Sequence, residues 1–168
     1  MRAILIMLLT ISTVGAMVFF MSAPSNAMLN GDDLMDKKPN NHPVATFGGG
    51  CFWCLESEFR SLDGVLFTQV GYMGGDKAEP SYKDVTTGQS GHVEVIEVTF
   101  DSDKISYSDL IEFFLTKAHD PTQVNRQGVD VGTQYASAIF YHDAAQKKTA
   151  QERIDYVDMN NIYKDPIA

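Results

Sequence analysis

The chain has 168 residues and is acidic, with 22 aspartates and glutamates against 13 lysines and arginines and a formal net charge of −9 at pH 7. This length suits one globular domain. The negative charge argues against nucleic acid or an anionic membrane surface as a partner, and it mainly favours solubility.

The N-terminus has the pattern of an export signal. Met1-Arg2 is followed by an apolar run from Ala3 to Ala23 and then by Ser25-Asn26-Ala27, which has the form of an A-x-A cleavage site. We interpret residues 1–27 as a signal peptide. About 20 apolar residues can also span a bilayer, so an uncleaved membrane anchor at residues 3–23 is the alternative. Both interpretations predict an exported protein, periplasmic or extracellular.

A polar leader at residues 28–43 precedes the first predicted strand and helix. Val44 to Phe47 is a short apolar strand that runs into three glycines, Gly48 to Gly50. Apolar residues then recur at helical spacing as far as Asp63-Gly64. They are Phe52, Leu55, Phe59 and Leu62.

Two long coils separate the remaining predicted elements. The elements are strands at 65–70, 93–100 and 136–141 and helices at 106–118 and 143–159. The coils run from Gly71 to Gly91 and from His119 to Tyr135. Coils of this length in a small domain are usually functional, and together with the glycine turn they could converge on one site.

The element order β-α-β-β-α-β-α predicts the fold class. It is the split β-α-β pattern of ferredoxin-like proteins, in which helices cover one face of a sheet. We therefore predict an α+β fold, a two-layer α/β sandwich with a mixed sheet, and assign residues 44–168 to one domain.

The segment Gly50-Cys51-Phe52-Trp53-Cys54 contains the only two cysteines. Residues three positions apart share a helix face, so the two thiols could form a disulfide with little backbone movement. A structural disulfide is the simplest interpretation in an exported protein. However, so small a loop adds little stability, which favours redox cycling. Because a cysteine that opens a helix lies near unpaired N–H groups, Cys51 is the candidate nucleophile and Cys54 the resolving thiol.

Glu94 is the candidate acid. Alternation along the third strand places it on the same face as Ile96, Val98 and Phe100, whereas Glu97 lies on the opposite face and is a poorer candidate. Burial raises the pKa of a carboxyl group, and a protonated carboxyl can act as a general acid. The alternative is that Glu94 lies in water at the end of its strand.

Phe52 and Trp53 are candidate walls of a substrate pocket. Consecutive helical residues point about 100° apart, so both cannot enter the same core. At least one should lie beside Cys51, where an aromatic wall suits a small apolar group. Alternatively, Phe52 is ordinary core together with Leu55 and Phe59.

No metal site is predicted. The histidines show no i, i+3 or i+4 spacing, and each fits a surface or loop-tethering role. They are His42, His92, His119 and His142. Four of the eight methionines fall in the signal segment and the others are scattered.

Six motifs in order resemble the peptide-methionine (S)-sulfoxide reductases, the A-type family of methionine sulfoxide reductases. The resemblance runs from about Ala45 to Tyr141. Its family pattern continues beyond Ala168 into a further strand and tail, so we expect a C-terminally short domain. The motifs are Gly50-Cys51-Phe52-Trp53-Cys54-x-Glu56, Gly71-Tyr72-x-Gly74-Gly75, Pro80-Ser81-Tyr82, Gly88-x-x-Gly91-His92-x-Glu94, His119-Asp120-Pro121-Thr122-Gln123 and Arg126-Gln127-Gly128-x-Asp130-x-Gly132-Thr133-Gln134-Tyr135.

The resemblance implies roles for the candidate residues. Cys51 would attack the sulfoxide sulfur while protonated Glu94, aided by Tyr82 and Tyr135, donates to the oxygen, leaving methionine and a Cys51 sulfenic acid. Cys54 would then form a disulfide with Cys51. Two aromatics and one carboxylate would bind the substrate. Phe52 and Trp53 would hold its methyl group, and Asp130 would order the polar hydrogen bonds.

The same resemblance implies the partners. The substrate would be methionine-(S)-sulfoxide, free or in oxidised proteins, and the enzyme a monomer. It would bind no cofactor and would need an external thiol reductant, a thioredoxin-like protein or dithiothreitol. Two alternatives remain open, a general thiol–disulfide oxidoreductase and an inactive, truncated family member that acts only as a binding remnant.

Overall fold

The computed structural model describes residues 38–168. The predicted signal peptide or anchor and residues 28–37 of the predicted leader lie outside the described residues. From residue 38 onwards, no helix combines the length and the apolar character needed to cross a membrane.

Six strands and four α-helices make up the described chain. The strands are β1 Val44–Gly48, β2 Val65–Met73, β3 Val93–Phe100, β4 Arg126–Gln127, β5 Asp130–Val131 and β6 Ala138–Phe140. The helices are α1 Phe52–Arg60, α2 Tyr82–Thr86, α3 Tyr107–Phe113 and α4 Ala144–Met159. A π-helical turn at Phe114–Ala118 continues α3, and a 3₁₀ turn at Thr133–Tyr135 precedes β6.

The main sheet has the strand order β2-β3-β1-β6. All of its pairs are antiparallel, so the predicted mixed sheet is wrong although the predicted element order and α+β class are right. The reason is topological. β1 and β2 run in the same direction, but β3 lies between them and pairs with both, so no parallel neighbours form. Strands β4 and β5 make a separate small hairpin.

The hydrophobic core lies between the sheet and the helices. Phe47 on β1 stacks on Phe59 of α1, with ring centroids 5.1 Å apart, and on Phe114 beyond α3, at 4.9 Å. From β3, the residues on the Glu94 face are fully or almost fully buried. They are Ile96, Val98 and Phe100. On the opposite face Glu97 forms an ion pair with Lys38, 2.6 Å between Nζ and Oε1.

Both predicted coils contain regular structure that was not predicted from the sequence. β2 continues past Val70 to Met73, because Gly71 keeps its place in the ladder opposite Val95. Helix α2 lies inside the first coil and begins with a capping box. In it, Ser81 Oγ accepts from the Asp84 N–H at 3.3 Å, and the Asp84 carboxylate accepts from the Ser81 N–H at 2.8 Å. The Ser-x-x-Asp spacing was a readable signal for this helix.

Candidate active site

Cys51 is the N-cap of α1, directly after the glycine turn. Its carbonyl accepts the first helical hydrogen bonds, from the N–H groups of Cys54 at 3.0 Å and Leu55 at 3.2 Å. Gly50 has φ +98°, and a Cβ there would lie 2.7 Å from Gln127 Cβ. The turn therefore requires glycine both for its backbone conformation and for the close approach of the β4–β5 hairpin.

The two cysteines are free thiols on one face of the first helical turn, as predicted. Cys51 is half-buried and Cys54 is exposed. Partial burial, the neighbouring Cys51 and the negative charges of Asp130 and Glu58 raise the pKa of Cys54. Cys54 thus retains its proton more strongly than an isolated thiol, which suits a group that reacts second.

Glu94 is buried, with 3% of its surface exposed, so the alternative of a water-exposed strand end is wrong. Its Oε2 accepts a hydrogen bond from the Phe52 N–H at 3.1 Å, which places the carboxyl group beside the start of α1. Burial raises the pKa of Glu94, and the negative charge of Asp130 raises it further, against the opposing effect of the Phe52 N–H. The carboxyl group is therefore protonated at higher pH than an ordinary glutamate.

Two tyrosines, Tyr72 and Tyr135, lie near this carboxyl group, and Tyr82 lies near both of them. Tyr72 lies opposite Glu94 in the β2–β3 ladder. Burial first and then the Glu94 charge raise the pKa of both Tyr72 and Tyr135, and Tyr82 adds to the rise in each. The hydroxyl groups of Tyr72 and Tyr135 therefore remain protonated and available as donors. The structure brings together the predicted Tyr82 and Tyr135, and it adds Tyr72.

Tyr72 is the site residue that the sequence reasoning missed. It lies within the Gly71-Tyr72-x-Gly74-Gly75 motif, but the glycines favoured coil over strand. Once β2 extends to Met73, cross-strand pairing brings Tyr72 to Glu94, and its ring contacts Phe52 with centroids 5.7 Å apart.

Phe52 and Trp53 form an aromatic wall next to Cys51. Phe52 is buried and Trp53 is 63% exposed. Their ring centroids are 5.3 Å apart and inclined at 51°. Phe52 belongs to the buried core residues, but it packs on Trp53 and Tyr72 and lies outside the main core cluster. Its role in a substrate pocket stays a prediction.

Asp130 reaches the site from the β4–β5 hairpin. It pairs with Gln127 across the hairpin, and its charge raises the pKa values of Glu94, Cys54 and Tyr135. Among residues 38–168, no hydrogen bond joins its carboxylate to another site residue. Its predicted role in ordering polar hydrogen bonds stays a prediction.

A match along most of the chain decides the family. The family model described as "Peptide methionine sulfoxide reductase" matches residues 43–168. The chain belongs to this family.

Relatives with the same name match at high identity. "Peptide methionine sulfoxide reductase MsrA" of Natronomonas pharaonis is 50% identical over 124 residues, which cover 74% of this chain and 69% of the relative. The MsrA of Methanothermobacter thermautotrophicus is 53% identical over 128 residues, covering 76% of this chain and 75% of the relative. Among solved structures, reduced Mxr1 from Saccharomyces cerevisiae is 34% identical with a TM-score of 0.66, and the match covers 73% of each chain.

Family membership confirms the predicted enzyme class. The domain is a methionine sulfoxide reductase, a thiol-dependent oxidoreductase, and a general thiol–disulfide exchanger is not favoured. In each of these matches a quarter or more of the relative lies outside the matched part. The family name assigns no catalytic residues, so the roles of single side chains remain predictions.

Two histidines of this reductase hold loops in place through hydrogen bonds to backbone carbonyl groups. The His119 ring stacks on Phe114 and bonds Phe114 O at 2.8 Å and Ser137 Oγ at 2.9 Å. Because a carbonyl only accepts, Nδ1 carries the proton. Burial lowers the pKa of His119. His92 is buried, and its Nε2 bonds Lys77 O at 3.1 Å. Both tether loops, in agreement with the sequence prediction.

Possible metal ligands do not cluster in the described part of the chain. Over residues 38–168, no group of three or more His, Cys, Asp or Glu side chains could hold a metal ion.

Proposed function

We propose that this reductase acts on methionine-(S)-sulfoxide, free or in proteins, with Cys51 as the nucleophile and Glu94 as the proton donor. One observation carries the proposal. The buried Glu94 carboxyl group accepts from the N–H of Phe52, the residue directly after Cys51. The carboxyl group with the raised pKa therefore lies beside the residue that follows Cys51, which supports its role as the proton donor.

The first step transfers oxygen from methionine to Cys51. The Cys51 thiolate attacks the sulfoxide sulfur while the proton of Glu94 moves to the sulfoxide oxygen. In the resulting adduct the hydroxyl group moves from the methionine sulfur to the Cys51 sulfur. The S–O bond to methionine and the new S–S bond both break, methionine leaves, and Cys51 becomes a sulfenic acid. Methionine is reduced by two electrons and Cys51 is oxidised by two.

Hydroxyl and aromatic groups place the substrate. The hydroxyl groups of Tyr72, Tyr82 and Tyr135 donate to the sulfoxide oxygen as negative charge develops on it. Phe52 and Trp53 enclose the methyl group. Because oxygen and methyl are held on different sides of the sulfur, the site accepts one sulfoxide epimer.

The second step forms a disulfide. The Cys54 thiol attacks the Cys51 sulfenic sulfur, the S–S bond forms, and the oxygen leaves as water. A dithiol donor then reduces the disulfide and is itself oxidised. A thioredoxin-like donor is supported by the yeast protein Mxr1, which has also been solved in complex with Trx2. Dithiothreitol replaces the donor in vitro.

Export remains part of the proposal. It rests on the apolar run and cleavage pattern of residues 1–27. Fractionation of cells that express the full chain should recover the domain outside the cytoplasm, either cleaved or held in the membrane, and a full-length cytoplasmic product would contradict it.

The decisive experiment compares residues 28–168 with a Cys51→Ser variant. A peptide with one methionine sulfoxide is incubated with each protein and dithiothreitol, and mass spectrometry follows the loss of about 16 mass units, the oxygen atom. Only the protein with Cys51 should react. Equal reaction in both proteins would disprove the role of Cys51.

A second measurement isolates Cys54. After stoichiometric sulfoxide without reductant, the wild-type protein should contain no free thiol, whereas Cys54→Ser should stop at a sulfenic acid that a selective reagent traps. Free thiols that persist in the wild type would show that Cys54 does not resolve.

A further inference from the structure

The two long loops of the site are joined to each other by a hydrogen bond. Thr133 Oγ1 donates to the backbone carbonyl of Gly88 at 2.7 Å, across 45 positions of sequence. Thr133 belongs to the loop that carries Tyr135, and Gly88 ends the loop segment that carries Tyr82. Within residues 38–168, this is the hydrogen bond that connects the two tyrosine-bearing segments.

On the Gly88 side, the short helix α2 connects the hydrogen-bonded carbonyl to Tyr82. Tyr82 is the first residue of α2, which Ser81 and Asp84 cap at its start. At the other end, the Gly88 N–H donates to Val85 O at 2.9 Å, and Gly88 has φ +69°. Tyr82 thus stands at the start of α2, and Gly88 lies two residues beyond its end, in the turn that the bond to Val85 closes.

On the Thr133 side, the connection to Tyr135 is equally short. Thr133 and Tyr135 are the first and last residues of one 3₁₀ turn, which the Tyr135 N–H closes by donating to Gly132 O at 3.0 Å. A displacement of Thr133 therefore displaces Tyr135.

The Gln134 side chain lies between the two loops, close to Gly88 and Gly132. It is 5% exposed, and its amide oxygen has no hydrogen-bond partner. A Cβ at Gly88 would lie 3.2 Å from this oxygen and one at Gly132 only 2.3 Å, so both glycines allow the close approach.

We propose that Thr133 is a positioning residue that sets the separation of the Tyr82 and Tyr135 hydroxyls. The Thr133–Gly88 bond, the loop latch, holds both hydroxyls on the sulfoxide oxygen during proton transfer. This inference rests on the proposed function. Without the latch each tyrosine remains in its own turn, but the two loops move independently and the two donors meet the oxygen together less often.

The test uses a shape-matched pair of variants. Thr133→Val keeps the branched shape and removes the donor, whereas Thr133→Ser keeps the hydroxyl. Thr116→Val, which removes a comparable bond to Glu112 O on the surface of the domain, is the control. In single turnovers with a methionine sulfoxide peptide, Thr133→Val should be slower by about tenfold, and Thr133→Ser and Thr116→Val should stay within about twofold of wild type.

A double-mutant cycle separates positioning from general destabilisation. In a Tyr82→Phe background the latch no longer has a pair of hydroxyls to align, so Thr133→Val should slow the step much less than in the wild type. Full additivity of the two effects would overturn the proposal. So would a lower melting temperature of Thr133→Val with an unchanged single-turnover rate.

Hydrogen exchange tests the latch without relying on turnover. Amides at 85–88 and 133–136 should exchange faster in Thr133→Val and return to wild-type rates in Thr133→Ser. Unchanged exchange would disprove the latch even in an active enzyme. In contrast, a wild type that shows normal exchange but never reduces sulfoxide would refute the proposed function.

Discussion

At the scale of single residues, the chemistry depends on the environment of Glu94. Its carboxyl group belongs to a strand that otherwise points apolar side chains into the core, and the Phe52 N–H ties it to the start of α1. The alternation of β3 predicted this burial correctly. It could not predict that Tyr72 lies opposite, because cross-strand register depends on where β2 ends.

Glu94→Gln should lower the sulfoxide reduction rate by about 10²-fold, the usual contribution of a positioned general acid. The amide keeps the size of the side chain and can still accept from Phe52 N–H, but it has no acidic proton. Wild-type activity should also fall as the pH rises through the raised pKa of Glu94. Single-turnover rates across pH test both points, and a Glu94→Gln variant that keeps this pH dependence would assign it to another group.

The same carboxyl group should make stability depend on pH. Because its folded-state pKa lies above the unfolded value, the folded protein binds the proton more tightly, so stability declines as pH rises from the unfolded pKa through the folded one. Glu94→Gln should lack this decline and gain in melting temperature relative to wild type towards neutral pH. If the difference in melting temperature between the two proteins were the same at all pH values, this prediction would be wrong.

At the scale of elements, the turn between β1 and α1 presents Cys51. Its glycines and the helical spacing after Cys51 are local signals, so strand, turn and helix were predicted in the right order. Helix α1 ends at Arg60, before the predicted Asp63-Gly64. The approach of Gln127 to Gly50 was not predictable, because these residues lie 77 positions apart in the sequence.

Gly50→Ala should destabilise the domain by at least about 1–2 kcal/mol, since its φ of +98° disfavours a side chain and a Cβ would overlap Gln127. Two glycines provide matched controls. Gly128 has φ +61° with open space around it, and Gly71 has neither a positive φ nor a close neighbour. In urea unfolding, Gly50→Ala should therefore be the most destabilised of the three variants. Gly128→Ala should come second and Gly71→Ala should be the least affected. A Gly50→Ala variant no less stable than Gly71→Ala would disprove the packing argument.

At the scale of the whole molecule, one stacked aromatic cluster joins the two layers. Phe47 from the sheet meets Phe59 of α1 and Phe114 beyond α3. The same β1 strand continues into the glycine turn, so the cluster that holds the layers together also anchors the base of the site.

Phe47→Ala should lower the free energy of unfolding by about 3–5 kcal/mol, because it leaves a cavity where the layers meet. Against a typical total of about 5–15 kcal/mol, this is a large part of the stability. Phe47→Leu should cost less. Activity should fall in proportion to the folded fraction, as followed by circular dichroism. A Phe47→Ala protein that is fully folded and inactive would contradict a purely structural role.

The sequence by itself determined the order of the elements, the pairing of Cys51 with Cys54 on one helical turn, and the core-facing side of Glu94. Each of these follows from local spacing, periods of two and 3.6 residues and glycine turns, which a single segment contains. Only the tertiary structure decided the antiparallel sheet, the meeting of Tyr72 with Glu94, and the loop latch between Thr133 and Gly88. These depend on register and on contacts between residues far apart in the chain, and no local pattern encodes them.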